Sequence, residues 1–280
     1  MALSGGAARG IAHVGVLRAL AENKIPIDYI AGTSAGSIVG GALASGMSID
    51  EIENLGLSLR WRDIGRLTMS RQGVQTNERL EQLLRSRMPV TRFEDLPTPF
   101  AAVATDLHSG APVIMRDEGD VPFAIRASCA IPGWYVPVAD REGRLLVDGG
   151  LVAIIPTSVA RSLGADLVIA VDVNAEGATF LTPPQSLIGI VLQSMLVVQR
   201  TVTSYELAAA DLVVQPLVGH IRWDEVARAK ELIAAGYEAG LLSIPKILRL
   251  LEDASEPPRK WFQLRSRRRP LAKGPLSLPT

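Results

Sequence analysis

Ile27-Asp28-Tyr29-Ile30-Ala31-Gly32-Thr33-Ser34-Ala35-Gly36 is an apolar run with strand character that stops at Gly32. A small-residue helix pattern, Ser37 to Ser45, begins just after it. Gly-Thr-Ser-Ala-Gly at the junction fits G-x-S-x-G, in which the serine occupies a tight, often strained strand-to-helix turn. Gly32 and Gly36 remove Cβ atoms where the two backbone limbs nearly touch. Ser34 then points out of the turn at the N-terminal end of a helix. The partial positive charge there favours a developing oxyanion or alkoxide.

Upstream lies a second unit of the same kind. Met1-Ala2-Leu3 is a stub of strand, Ser4-Gly5-Gly6-Ala7-Ala8-Arg9-Gly10 is a glycine-rich loop, and a helix is predicted from about Ile11 to Asn23. Its apolar positions Ile11, Val14, Leu17, Leu20 and Ala21 recur at helical spacing. Two strand–loop–helix units back to back present both loops at one edge of an α/β sheet. The backbone N–H groups of the glycine loop can converge on one point and stabilise charge that appears only in a transition state. A dinucleotide cradle fits less well, because Ala7 replaces the middle glycine of G-x-G-x-x-G. Arg9 reads as a pin holding the loop, in preference to an anion ligand.

Downstream, Ser48-Ile49-Asp50-Glu51 reads as a capping box, and residues 60–75 as an irregular loop or lid over the site. Thr76 or Asn77 caps a helix through about Arg87. Phe100 to Thr105 is a buried strand, with Ala111 to Met115 as its hairpin partner. A helix starts at Asp120-Val121-Pro122 and stops before Pro132. Val136 to Ala139 and Arg144 to Val147 form a hairpin delivering Asp148-Gly149-Gly150. A helix over 156–163 and a continuous apolar strand over 167–173 suit a covered parallel sheet. Helices follow over 186–210 and 223–251, with a short strand at 213–215.

The whole chain has 280 residues, 48 % of them hydrophobic, enough for one large α/β domain over 1–255. Its formal net charge is zero, so nothing global argues for a nucleic acid partner. A single cysteine, Cys129, excludes an internal disulfide framework and a cysteine zinc site. No signal peptide is visible. Leu187 to Val198 is too short for a membrane span of about 20 residues and reads as a buried or interfacial helix. Residues 256–280 set seven basic side chains and several prolines against the one acid Glu256, the composition of a disordered basic tail.

Acyl transfer needs a nucleophile, a base and donors for an oxyanion. Ser34 is the candidate nucleophile. The chain has three histidines: His13 suits a structural role, His108 lies in a turn, and His220 is the one placed as a late triad histidine would be. Asp148 is the stronger candidate base. It ends a strand, and Gly149 and Gly150 let its backbone approach another element closely. An aspartate titrates near about 3.9 in water, and burial beside the serine would raise that value.

Ser-Gly-Gly-Ala-Ala-Arg-Gly, Gly-Thr-Ser-Ala-Gly and Asp-Gly-Gly, in that order, resemble the patatin-like phospholipase family, closest to its bacterial cytoplasmic-type members. Val103-Ala104-Thr105-Asp106, Arg126 to Gly133 and Gly164-Ala165-Asp166 extend the likeness over about residues 1–250. The resemblance implies a three-layer α/β/α fold with a mainly parallel central sheet. It implies a Ser34–Asp148 dyad hydrolysing lipid acyl esters through an acyl-enzyme, with no metal or organic cofactor. The amides around Gly5, Gly6 and Ala7 would form the oxyanion hole, with Arg9, Gly32, Gly36, Gly149 and Gly150 in support. The chain departs from the family at Ala7, where a third glycine is usual and a methyl group calls for negative φ. It departs also in its short first strand, and in Val152-Ala153-Ile154-Ile155 where asparagines often stand. The expected partner is a lipid or ester substrate, with peripheral membrane contact through the basic tail and a cytoplasmic location, peripheral at the inner membrane face. The rivals are a Ser-His-Asp esterase using His220 and a catalytically impaired membrane-associated or adaptor relative.

Overall fold

The structure, a computed structural model, describes residues 1–175 and 187–255. The expected basic tail lies outside them. Its centre is a mostly parallel sheet built from β1 (Ala2–Leu3), β2 (Ile30–Thr33), β5 (Phe100–Asp106), β8 (Val138–Ala139), β9 (Leu145–Asp148), β10 (Ile169–Val171) and β11 (Leu212–Val214), in the order β11-β10-β1-β2-β5-β9-β8. β6 (Pro112–Met115) pairs antiparallel with β5, and so does β9. β8 pairs antiparallel with β9, and the pairs from β11 across to β5 are parallel.

Alternation along the strands explains the two layers that cover this sheet. Leu3, Ile30, Phe100, Ala102 and Ala104 face one apolar cluster, while Ala2, Ala31, Ala101 and Val103 face the other. Successive strand side chains point to opposite faces, so a strand buried on both sides is apolar throughout. The first layer contains α1 (Ala12–Glu22), α2 (Ala35–Ala44) and the long α9 (Ala229–Ser255), which packs along α1. The second contains α7 (Thr157–Ser162), against β1 and β2, and α8 (Leu187–Leu207), against α7. A three-layer α/β/α arrangement is therefore present, as the sequence predicts.

Glycines in α2 permit the closest contacts. A Cβ on Gly36 would lie 2.2 Å from the Leu3 carbonyl oxygen, and one on Gly32 would lie 2.6 Å from the Gly36 oxygen. The helix sits on the sheet backbone to backbone, which its weak intrinsic helix propensity would not suggest.

Residues 60–75 are more ordered than a loop. They form α4 (Trp61–Ile64), β3 (Arg66–Leu67) and β4 (Gly73–Thr76) between α3 (Ile49–Ser58) and α5 (Glu78–Arg87). β3 pairs with β4, and β4 pairs in parallel with β7 (Gly133–Tyr135), giving a separate three-stranded ribbon. The partner β7 is remote in sequence and both segments are short, so no local periodicity announces the pairing. α6 (Val121–Ser128) leads into β7. The helix expected from Trp223 begins only at Ala229. Trp223 instead packs edge-on against Trp61 and Trp134, and its carbonyl accepts the Ala8 N–H.

Candidate active site

Three stretches far apart in sequence meet at the carboxyl edge of β2. Thr33 pairs with Val103, and Asp148 pairs with Ala104 one residue further along the same strand. Ser34 thus lies level with Asp148 across β5. The Ser34 hydroxyl lies near the Asp148 carboxyl, close enough to act on its pKa.

Ser34 has φ 51° and ψ −122°, a left-handed conformation that a non-glycine residue holds only when its surroundings enforce it. Those surroundings are visible. Its N–H donates to Ser128 Oγ at 2.8 Å, and the Ser128 hydroxyl donates to the Val103 carbonyl at 2.6 Å. Its carbonyl accepts the Ser37 hydroxyl at 2.6 Å. The preceding Thr33 hydroxyl donates to the Ala153 carbonyl at 2.6 Å. Ser128 is a supporting residue that sequence reasoning missed. It stands within the quoted Arg126 to Gly133 stretch, but nothing in its spacing marks a partner of residue 34.

Asp148 is buried, 5 % exposed. Its main chain is held at both ends, the N–H by Ala130 and the carbonyl by the Thr105 hydroxyl. Its carboxyl accepts the Gly150 N–H at 2.8 Å. Burial raises its pKa from 3.8 to about 6, against the opposing pull of the hydrogen bonds from Ser34 and Gly150. A Cβ on Gly149 would lie 2.1 Å from the Val103 carbonyl oxygen, so only glycine lets the chain turn here. A Cβ on Gly150 would lie 2.7 Å from the Gln199 side chain and 2.9 Å from that of Ile154. The Cys129 thiol lies beside the Ser34 and Ser37 hydroxyls, and burial pushes its pKa up, so it stays protonated.

The glycine loop packs against the elbow, but its amides divide differently from the expectation. The Gly5 N–H donates to the Ile154 carbonyl at 2.9 Å and the Ala8 N–H to Trp223. Gly5 is therefore not an oxyanion donor in this structure. Its missing side chain makes room, since a Cβ there would sit 2.6 Å from Ile154 and 3.3 Å from Ser34 Cβ. The Gly6 and Ala7 amides make no hydrogen bond among the described residues, nor does the Ala35 amide at the start of α2. Ala7 has φ 48°, so the negative φ expected for an alanine at this place is not found. Arg9 is a pin: buried, it donates to the carbonyls of Ile221 at 2.6 Å and Gly219 at 3.2 Å.

Each histidine is engaged elsewhere. His13 is buried against the Ser4 carbonyl at 2.8 Å, and burial lowers its pKa to about 4, leaving it neutral. His108 lies in the turn after β5, where its backbone N–H donates to the Asp106 carboxylate at 3.1 Å. His220 pairs with Glu231 at 2.8 Å on the surface.

Beside Ser34 opens an apolar pocket. Ala7, Ile38, Val39, Leu84 and Tyr135 are among its walls, with Leu55, Leu59 and Leu83 furthest toward the surface helices α3 and α5. Such a lining suits hydrocarbon and offers few polar groups that could orient a head group.

Comparison with known proteins gives matches in sequence and in fold. Residues 1–161 match the family described as Patatin-like phospholipase. An uncharacterized NTE family protein of Mycobacterium tuberculosis is 41 % identical over 181 residues, covering 64 % of this chain and 49 % of that protein. Patatin-like phospholipase domain-containing protein 7 of Rattus norvegicus is 35 % identical over 195 residues, covering 65 % of this chain and 14 % of that protein. The chain thus spans about half the length of the mycobacterial relative. Among solved structures, VipD from Legionella pneumophila superposes with a TM-score of 0.51 at 14 % identity, covering 88 % of this chain and 66 % of that one.

Proposed function

Because the chain belongs to the patatin-like phospholipase family, we propose that it is a serine-dependent lipid acyl hydrolase, a carboxylic ester hydrolase working through a Ser34–Asp148 dyad. The observation that carries this reading is the Ser34 hydroxyl set beside a buried aspartate at the wall of an apolar pocket. An aspartate titrating near about 6 is ionised at neutral pH yet basic enough to accept a proton in a transition state.

Ser34 Oγ attacks the ester carbonyl carbon and passes its proton to Asp148. The oxyanion forms against the amides of Gly6 and Ala7, which need no reorganisation to receive it. Collapse of the intermediate expels the alcohol, which takes the proton from Asp148, and leaves the acyl group on Ser34. Water then attacks the acyl-enzyme, giving one proton to Asp148 as the new C–O bond forms. The fatty acid departs and the proton returns to Ser34 Oγ. The covalent route divides one difficult step into two easier ones, and the acyl chain lies in the apolar pocket throughout.

Hydrolysis of p-nitrophenyl esters and of phospholipid vesicles, with fluorophosphonate labelling of Ser34, tests the proposal. Ser34→Ala is expected to lose labelling and turnover. Asp148→Asn is expected to lose about 10²–10⁴-fold in kcat. His220→Ala is expected to remain close to wild type, and full activity in either dyad variant would remove that residue from the mechanism.

A further inference from the structure

We propose that the face formed by α4, β3, β4 and α5 is a docking surface for an anionic lipid bilayer. This inference deepens the hydrolase reading and rests on it for its purpose, while its test measures binding without turnover.

Residues 58–87 contain seven arginines, no lysine, and three acids: Asp63, Glu78 and Glu81. Arg85 is held by Glu81 and Asp120. Arg60, Arg62, Arg66, Arg71, Arg79 and Arg87 are all exposed. Among the described residues none of these six pairs with a carboxylate. The acids nearby are already engaged: Asp63 accepts the Arg60 N–H at 3.0 Å, and Glu81 holds Arg85 and Arg126. Elsewhere the pattern differs, with Arg18, Arg92, Arg144 and Arg222 each holding an acid. The Arg79 guanidinium donates to the Arg62 carbonyl at 2.7 Å, and exposed guanidinium groups with no carboxylate partner have an anion as their natural complement.

The second observation is apolar. Leu67 and Met69 are 75 % and 103 % exposed, and they stand on the ribbon between Arg66 and Arg71. Large apolar tips flanked by cations suit an interface where the tips enter the acyl region and the cations meet head-group phosphates. A nucleic acid would offer the tips nothing to bury them in.

The third observation is continuity with the pocket. Arg62, Arg79 and Arg87 border a surface basin whose other walls include Leu55, Leu59 and Leu83. The same three leucines line the apolar pocket that reaches Ser34. The ribbon also abuts the site directly, through β4 paired with β7 and Tyr135 in the pocket wall. A bilayer seated on this face would lie one leucine layer from the cavity that takes an acyl chain.

Co-sedimentation of the full chain with vesicles of phosphatidylcholine, alone or mixed in equal parts with phosphatidylglycerol, tests the surface at about 0.05 and about 0.5 M salt. Wild type is expected to bind the mixed vesicles, and less so at high salt. Arg62→Gln/Arg79→Gln/Arg87→Gln and Leu67→Ser/Met69→Ser are each expected to bind at least about tenfold more weakly. Arg62→Lys/Arg79→Lys/Arg87→Lys should keep binding, and all three variants should hydrolyse a soluble short-chain ester as wild type does. Failure of wild type to bind, or undiminished binding by both weakening variants, overturns the proposal; the latter would place the contact elsewhere, as in residues 256–280. Intact vesicle binding with no ester hydrolysis would instead sink the hydrolase reading and leave this surface standing.

Discussion

At residue 148 a carboxylate is almost wholly buried, and stability and activity then pull in opposite directions. Its folded-state pKa, about 6, lies above the ordinary 3.8, so the folded chain holds this proton more tightly than the unfolded chain. The group therefore costs nothing below about pH 4, becomes destabilising as pH rises from about 4 to 6, and exerts its full penalty above that. A shift of about two units corresponds to about 3 kcal/mol. Asp148→Asn keeps an acceptor for the Gly150 N–H and removes the charge. In urea denaturation it is expected to be more stable than wild type by up to about 3 kcal/mol near about pH 8, with the gain gone near about pH 4. In wild type, kcat/KM is expected to fall about tenfold per pH unit below about 6 as the base becomes protonated. The places of Ser34, Gly32 and Gly36 in the elbow were legible in the sequence because such a turn needs small residues at fixed offsets. The division of labour in the glycine loop was not. Whether the Gly5 amide is free depends on Ile154, about 150 residues away, and sequence spacing says nothing of that contact.

The strap from Val152 to Pro156 belongs to the scale of elements. Its Ala153 carbonyl receives the Thr33 hydroxyl and its Ile154 carbonyl receives the Gly5 N–H, so one segment fixes both the elbow strand and the glycine loop. α8 holds the strap in turn. Glu206 accepts the Ile155 N–H at 2.9 Å through its carboxyl, and the Thr157 hydroxyl at 2.7 Å through its carbonyl. Burial, with a smaller push from Asp172, raises the Glu206 pKa to about 7. Glu206→Ala leaves a buried N–H without a partner and is expected to cost about 1–3 kcal/mol and to lower kcat. Glu206→Gln preserves the acceptor and should keep both fold and turnover, as denaturation curves and ester hydrolysis would report. The sequence predicted a helix over 186–210, and one is present as α8. A glutamate inside such a pattern reads as solvated surface, and only the tertiary contact turns it into a staple. The ribbon of β3, β4 and β7 escaped for a related reason: strands of two to four residues carry too few side chains to show a period.

For the whole molecule, the second half of the chain completes what the first half begins. The family match ends at residue 161, yet β10 and β11 extend the sheet beyond β1, and α9 covers α1. The helix pair meets through glycine. A Cβ on Gly236 would lie 1.9 Å from the Ala12 carbonyl oxygen, and one on Gly15 would lie 2.0 Å from that of Ile233. Backbone cannot move aside as a side-chain tip can, so Gly236→Val is expected to cost at least about 3 kcal/mol. Thermal melting would register this, although residue 236 is outside the site. No helix among the described residues is long and apolar enough to cross a membrane.

The strand order has a further consequence for how the chain is made. β1 lies at the middle of the sheet, between β2 and β10. Its Ala2 and Leu3 gain one neighbour some thirty residues later, and the other only at Ile169–Val171. A growing polypeptide therefore carries its central strand half-flanked while most of the body is still being synthesised. Contacts of such long loop closure form slowly, and an unsheathed strand edge invites association with other chains during that interval. Slowing translation, or lowering the temperature at which the polypeptide is produced, should raise the soluble yield more than any change to the finished surface.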